Sequence, residues 1–308
     1  MTNGTADETA GEAAPLKVGA VVITMGNRPA EFRALLESVA KQEGPPIDVA
    51  VVGNGAPLPE LPELPGEVRT VELPENLGIP GGRNVGILQF GPGGRDVDVL
   101  LFLDDDGLLP RQDTGRLVRE AFAGDPGLGI VSFRIADPET GATQRRHVPR
   151  LRASDPMRSS RVTTFLGGAN AVRTKVFQEV GALPEDFFYA HEETDLAWRA
   201  LDAGWSIDYR SDMVLNHPTM PPSRHATYHR NVARNRVWLA RRNLPAPLIP
   251  VYLGVWLLLT LVRRPSLPAL RAWLGGFREG WRTPCGPRRP MKWRTVWRLT
   301  RLGRPPVI

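Results

Sequence analysis

With 308 residues, 42% of them apolar and 23% charged, the chain has an ordinary globular composition and room for one large α/β domain with an appendage. A single cysteine, Cys285, excludes an intrachain disulfide framework and fits a reducing compartment. The net charge of +6 conceals a split: from Arg224 onward 18 Lys and Arg face the lone acid Glu279, giving +17, whereas everything before carries −11. That asymmetry calls for an anionic partner at the basic end, a membrane surface or a nucleic acid.

Residues 1–16 are small, polar and acidic, without the basic start and apolar core of a signal peptide, and read as a disordered tail. Lys17 to Thr24 is a β-branched run of buried-strand type. Pro29 to Lys41 then places Phe32, Leu35, Leu36 and Val39 at helical spacing, with Pro29 where a first turn accepts it. Further strands are expected at Ile47 to Val52, Val68 to Leu73, Val97 to Leu103 and Leu128 to Phe133. A glycine-rich turn from Asn76 to Gly82 opens a helix at about Arg83 to Phe90. Ile135 to Arg161 is basic, poorly patterned and reads as a long loop. Helices follow around Thr174 to Val180 and from Glu192 to Ala203, the latter with Leu196, Ala197, Ala200 and Leu201 inward. This alternation implies a mainly parallel sheet covered on both faces, with ligands beyond the carboxyl ends of its strands.

The strand Val97 to Leu103 runs into Asp104, Asp105 and Asp106. Burying adjacent carboxylates without a counter-charge costs several kcal/mol. A hard divalent cation bridging to phosphate oxygens suits the place, and a solvated, helix-capping turn is the bland alternative. A second acidic group, Glu192, Glu193 and Asp195, opens a helix, where plain capping would also be satisfied. His191 with Glu192 suggests a zinc-protease helix, but Asp195 stands where its second histidine should be. No G-x-x-x-x-G-K-[ST] occurs, so an ATPase is unsupported. A sugar-phosphate nucleotidyltransferase would need a glycine-rich phosphate loop after the first strand, and Thr24-Met25-Gly26-Asn27-Arg28-Pro29 lacks it.

Taken in order, Val21 to Thr24 with Asn27-Arg28, Glu75 to Ile87, Phe102 to Asp106, Gly167 to Arg173 and His191 to Arg199 resemble the family 2 glycosyltransferases, above all the rhamnosyltransferase-like members, over Lys17 to Asn243. The resemblance implies an inverting enzyme of GT-A fold. Asp104 and Asp106 would hold Mn2+ or Mg2+, with Asp106 the direct ligand and His217 a further one. Glu193 would be the base, with Asp195 as its rival; the family's usual Glu-Asp-x-Asp reads Glu192-Glu193-Thr194-Asp195 here. Thr24, Arg28, Asn54, Arg83, Asp104 and Asp105 would bind the nucleotide-diphosphate sugar. Gly53 stands where relatives carry a base-pairing Asp, which passes base recognition to Asn54 or Thr24.

Beyond residue 225 the chain is basic and rich in tryptophan. Tyr228 to Arg242 reads as a basic helix, and relatives carry a similar one; Arg234, Asn235 and Arg236 are placed to reach the diphosphate or the acceptor. The apolar part of Asn243 to Val262 is shorter than the ~20 residues a spanning helix needs. An interfacial helix is expected there, followed by an amphipathic one with Leu270, Trp273, Leu274, Phe277 and Trp281 on one face; packing on the body is the alternative. The expected organisation is therefore a tail (1–16), a catalytic domain (17–243) and a membrane-associating helical region (244–308). The expected function is sugar transfer from a dTDP-rhamnose or UDP-sugar type donor to a lipid-linked or cell-surface glycan acceptor. It would take place at the inner membrane face, without nucleic acid. An inactive relative, or a membrane or nucleic-acid adaptor, is the alternative.

Overall fold

The computed structural model describes residues 14–151, 155–218, 226–263 and 265–308. Its strands are β1 (Val18–Thr24), β2 (Asp48–Asn54), β3 (Val68–Leu73), β4 (Val99–Asp104), β5 (Leu128–Ala136), β6 (Ser160–Arg161), β7 (Ala169–Arg173) and β8 (Ser206–Asn216). Its helices are α1 (Pro29–Ala40), α2 (Gly78–Leu88), α3 (Thr114–Gly124), α4 (Thr174–Val180), α5 (Glu192–Ala203), α6 (Ala226–Asn243), α7 (Leu248–Val262), α8 (Leu267–Arg282) and α9 (Trp293–Arg301). The strands form one sheet in the order β3-β2-β1-β4-β7-β5-β8-β6.

The first four in that order are parallel, as expected; β7 then runs antiparallel between β4 and β5, so the sheet is mixed beyond β4. Strand periodicity sorts the core. Val21, Leu100 and Phe102 point to one layer, with Phe177, Leu196 and Val237. Ala20, Val22, Leu101 and Leu103 point to the other, with Phe32, Leu35, Val118 and Phe122.

Three expectations shift. The second helix starts at Gly78 rather than near Arg83, because Pro80 sits in its first turn and the glycines let it lie close to the sheet. A Cβ at Gly86 would overlap Val21, and Gly78 has φ +73 with the Phe188 carbonyl where a side chain would go. The segment 135–161 is less open than expected: Arg145–His147 forms a 3-10 turn and β6 pairs antiparallel with β8. The unanticipated α3 buries Val118 and Phe122.

The C-terminal helices pack on the body. Gly276 and Gly280 of α8 lie against the backbone of α6, and Val296 and Leu299 of α9 join the core. Within the amphipathic face expected of α8, Trp273 is buried, but Leu274 and Trp281 remain exposed. Among the described residues, no helix is long and apolar enough to cross a membrane. Most of the expected tail lies outside the described residues.

Candidate active site

The parallel strands β1 and β4 end side by side, Ile23 opposite Asp104, and this register gathers the site. Thr24 Oγ1 donates to Asp105 Oδ2 at 2.7 Å. Arg28, just before α1, pairs with Asp106 and lies 3.7 Å from Asp105. His217, just past β8, places Nε2 3.1 Å from Asp106 Oδ1. Asp104 turns the other way: its Oδ1 accepts from Arg83 Nη2 at 3.1 Å, and its carboxylate fills the space where Gly168 lacks a Cβ.

Arg83 joins the two acidic groups. Its side chain is only 6% exposed, and its second terminal nitrogen lies 4.0 Å from Glu192 Oε1. One guanidinium therefore faces the end of β4 and the start of α5 together. Glu192 is buried and its Oε2 lacks a hydrogen-bond partner among the described residues. Burial raises the Glu192 carboxyl against the pull of Arg83. Burial, then the neighbouring Glu192, pushes the Glu193 carboxyl up to about 8. Glu193 thus stands beside a like charge that favours its neutral form.

Burial also raises Asp105, against the Thr24 hydrogen bond. At Asp106 desolvation is outweighed by the His217 hydrogen bond and charge and by Arg28, so the carboxyl lies below its usual range. The same hydrogen bond raises His217.

Asp195 is elsewhere. It has no exposed side-chain surface and is held by Arg199 at 2.8 Å, Arg242 at 2.9 Å and Asn243 at 2.7 Å. Desolvation would raise it, but the two guanidiniums and the amide hold it below the ordinary range. This carboxylate ties α5 to α6. Asn54 is likewise engaged inside the fold, donating to Asn76 Oδ1 and the Gly78 carbonyl and accepting from the Leu77 N–H. At Gly53 a Cβ would overlap the Ala56 carbonyl, so this bend of β2 admits no carboxylate.

The approach to α5 carries three successive features of strain: Phe188, Ala190 and His191 have φ of 60°, 72° and 72°. Left-handed backbone outside glycine costs on the order of 1–3 kcal/mol per residue. Asn235 of α6 opposes that cost, its amide donating to the carbonyls of Phe187, Tyr189 and Ala190 at 2.8–2.9 Å. Arg234 adds bonds to Asp186 and Phe187 and stacks on Trp238. Arg234 and Asn235 thus position the loop before the candidate base; the sequence offers only their basic, polar character as a signal.

Among the described residues, no three His, Cys, Asp or Glu side chains converge in metal-binding geometry, since Asp104 and Asp106 point to different arginines. The donor set nevertheless suits a hard divalent cation. Two ligands cis on an octahedral ion at about 2.1 Å lie about 3 Å apart, close to the 3.1 Å between His217 Nε2 and Asp106 Oδ1. His217 Nδ1 lies 2.8 Å from the Pro218 carbonyl, which fixes the ring with Nε2 toward Asp106.

The family model "Glycosyl transferase family 2" matches residues 20–181. A pre-mycofactocin glycosyltransferase of Mycobacterium tuberculosis is 24% identical over 234 residues, covering 72% of this chain and 44% of that protein. The chain therefore spans less than half the length of that curated relative. Among solved structures, S. aureus TarS 1-349 matches at TM-score 0.58 and 18% identity, over 86% of this chain and 81% of that one. GalNAc-T7 with UDP, GalNAc and Mn2+ matches at 0.58 and 14%, over 78% and 51%. Mannosyltransferase PcManGT from Pyrobaculum calidifontis, with GDP-Man and Mn2+, matches at 0.53 and 18%, over 94% and 85%. At these identities the structures share the α/β, GT-A-like fold.

Proposed function

The chain belongs to glycosyl transferase family 2, and from that premise we propose that it moves a sugar from a nucleotide-diphosphate donor to a hydroxyl of a glycan acceptor with inversion. One observation carries this reading: the end of β4 and the start of α5 meet on the single buried guanidinium of Arg83. A donor diphosphate and an acceptor hydroxyl need those two kinds of group within one small space.

Asp104, Asp106 and His217 would hold Mn2+ or Mg2+, which supplies counter-charge to a diphosphate when bound. Two neighbours were solved with Mn2+ and a nucleotide or nucleotide sugar, UDP in one and GDP-Man in the other. Arg28 and Arg83 add fixed positive charge at the same place. Glu193 takes the proton of the acceptor hydroxyl as its oxygen bonds the anomeric carbon, and the bond from that carbon to the diphosphate oxygen breaks on the opposite face. A raised carboxyl is the stronger base once ionised. The loop held by Asn235 fixes where that base stands.

The donor is of dTDP-rhamnose or UDP-sugar type and the acceptor a lipid-linked or cell-surface precursor; TarS has been solved with UDP-GlcNAc. Peripheral binding to the inner face of an anionic membrane fits the exposed Leu258, Val262, Leu267, Trp293 and Trp297 among the C-terminal arginines. Calorimetry with UDP, dTDP, GDP and CDP, with and without Mn2+, tests the donor site: one diphosphate should bind only with metal, and Asp106→Ala should abolish that binding. Metal-independent binding that survives Asp106→Ala would overturn it.

A further inference from the structure

Behind the first turn of α5 lies a second polar cavity, of about 50 Å³, walled by His191, Thr194, Arg236, Tyr252, Trp256 and Arg304 among others. Among the described residues no Asp or Glu side chain lines it, and Ile308, the last residue of the sequence, forms part of its wall. Arg236 makes one long hydrogen bond, 3.4 Å to the Tyr252 hydroxyl, and its guanidinium carbon lies 3.3 Å from the Trp256 ring centroid. Among the described residues, neither Arg236 nor Arg304 has an ion-pair partner. Two further polar atoms here, His191 Nε2 and Trp256 Nε1, are buried without a hydrogen-bond partner among the described residues.

Two half-buried guanidiniums without an ion-pair contact among the described residues are costly, as are buried donors without acceptors. A single ligand answers the arginines' need: an oxyanion that accepts from both. Arginine forks match phosphate oxygens in geometry and charge. The volume exceeds what one water requires, so a multi-oxygen group has room. The cavity shares the first turn of α5 with Glu193, and α7, which contributes Tyr252 and Trp256, exposes Val251, Leu258, Leu261 and Val262 on its other surface.

We propose that this cavity is an acceptor-side anion site, in which Arg236 and Arg304 take the phosphate or diphosphate group of the acceptor while Glu193 faces its hydroxyl. The assignment to the acceptor rests on the glycosyltransferase reading; the anion site itself does not. The test is calorimetric titration of the full chain with inorganic pyrophosphate and with geranyl diphosphate, once without nucleotide and once with the donor site saturated by nucleoside diphosphate and Mn2+. Both probes should bind in either condition. Arg236→Gln and Arg304→Gln should each weaken them at least tenfold, Arg236→Lys should weaken them less, and nucleotide affinity should stay unchanged. Geranyl diphosphate binding tenfold or more tighter than pyrophosphate would identify a lipid headgroup; equal affinities would identify a free phosphate group; each supports the site. No binding of either probe, or unchanged binding in both Gln variants, overturns it. Failure of the donor reading would show differently, as lost nucleotide binding with pyrophosphate binding intact. Thermal melts of each variant identify any loss that comes from unfolding.

Discussion

Replacing Asp195 by alanine separates a structural carboxylate from a catalytic one. The substitution removes bonds to Arg199 at 2.8 Å, Arg242 at 2.9 Å and Asn243 at 2.7 Å around a side chain with no exposed surface. It leaves two guanidiniums, 10% and 14% exposed, facing an apolar methyl group. Breaking a buried ion pair from one side costs about 3–5 kcal/mol. At about 2 °C per kcal/mol, suited to a chain of this size, Tm should fall about 6–10 °C. Asp195→Asn keeps the shape and part of the hydrogen bonding and should lose less. The native Asp195 pKa is depressed, so its stabilisation is present above the ordinary value of 3.8 and fades as pH falls toward the depressed one. Differential scanning calorimetry at pH 7 and at about pH 3, below that ordinary value, should therefore show the gap between wild type and Asp195→Ala shrinking in acid. At a temperature where the variant is folded, nucleotide binding should persist. An unchanged Tm with abolished turnover would refute this reasoning and return Asp195 to the chemistry.

Glu193→Gln should abolish transfer and leave Tm unchanged or higher at pH 8. A carboxyl raised on folding stabilises below its unfolded pKa, and that contribution is lost as pH rises toward about 8, so calorimetric melts across this window should flatten in the variant. Asn235→Ala should lower kcat tenfold or more with little change in nucleotide affinity, because the carbonyls of Phe187, Tyr189 and Ala190 lose their shared donor; steady-state kinetics beside calorimetric titration decides it. Gly168→Ala puts a methyl group into the Asp104 carboxylate, so metal-dependent nucleotide binding should weaken at least tenfold by titration while the melt moves little.

The strands of the parallel half were legible because β-branched runs admit few alternatives: the buried β1 is found at Val18–Thr24, one residue inside the expected Lys17 to Thr24, and the half-exposed Val68 to Leu73 is found as β3 with the same ends. The acidic helix was legible from its inward face, and α5 begins and ends where that spacing places it. The helix α3 escaped notice although Val118 and Phe122 keep helical spacing, because the segment is interrupted by charge. Sequence named Glu193 and Asp195 as rival bases and had no means of separating them. What separates their surroundings is contributed by Arg242 and Asn243, 47 and 48 residues away. The tight bend at Gly53, the amide of Asn235 under a strained loop, and the gathering of Arg236 with Arg304 are likewise long-range arrangements. Local pattern shows which residue types are present and not what they meet.

The central claim is that Glu193 acts on an acceptor beside a nucleotide-sugar site at the end of β4. Release of nucleoside diphosphate from a panel of nucleotide sugars, with a phosphate-linked glycan acceptor and Mn2+, tests it most directly. The account predicts acceptor-dependent release from one donor, abolished in Glu193→Gln while that donor's nucleotide still binds. Release at the wild-type rate by Glu193→Gln would contradict it.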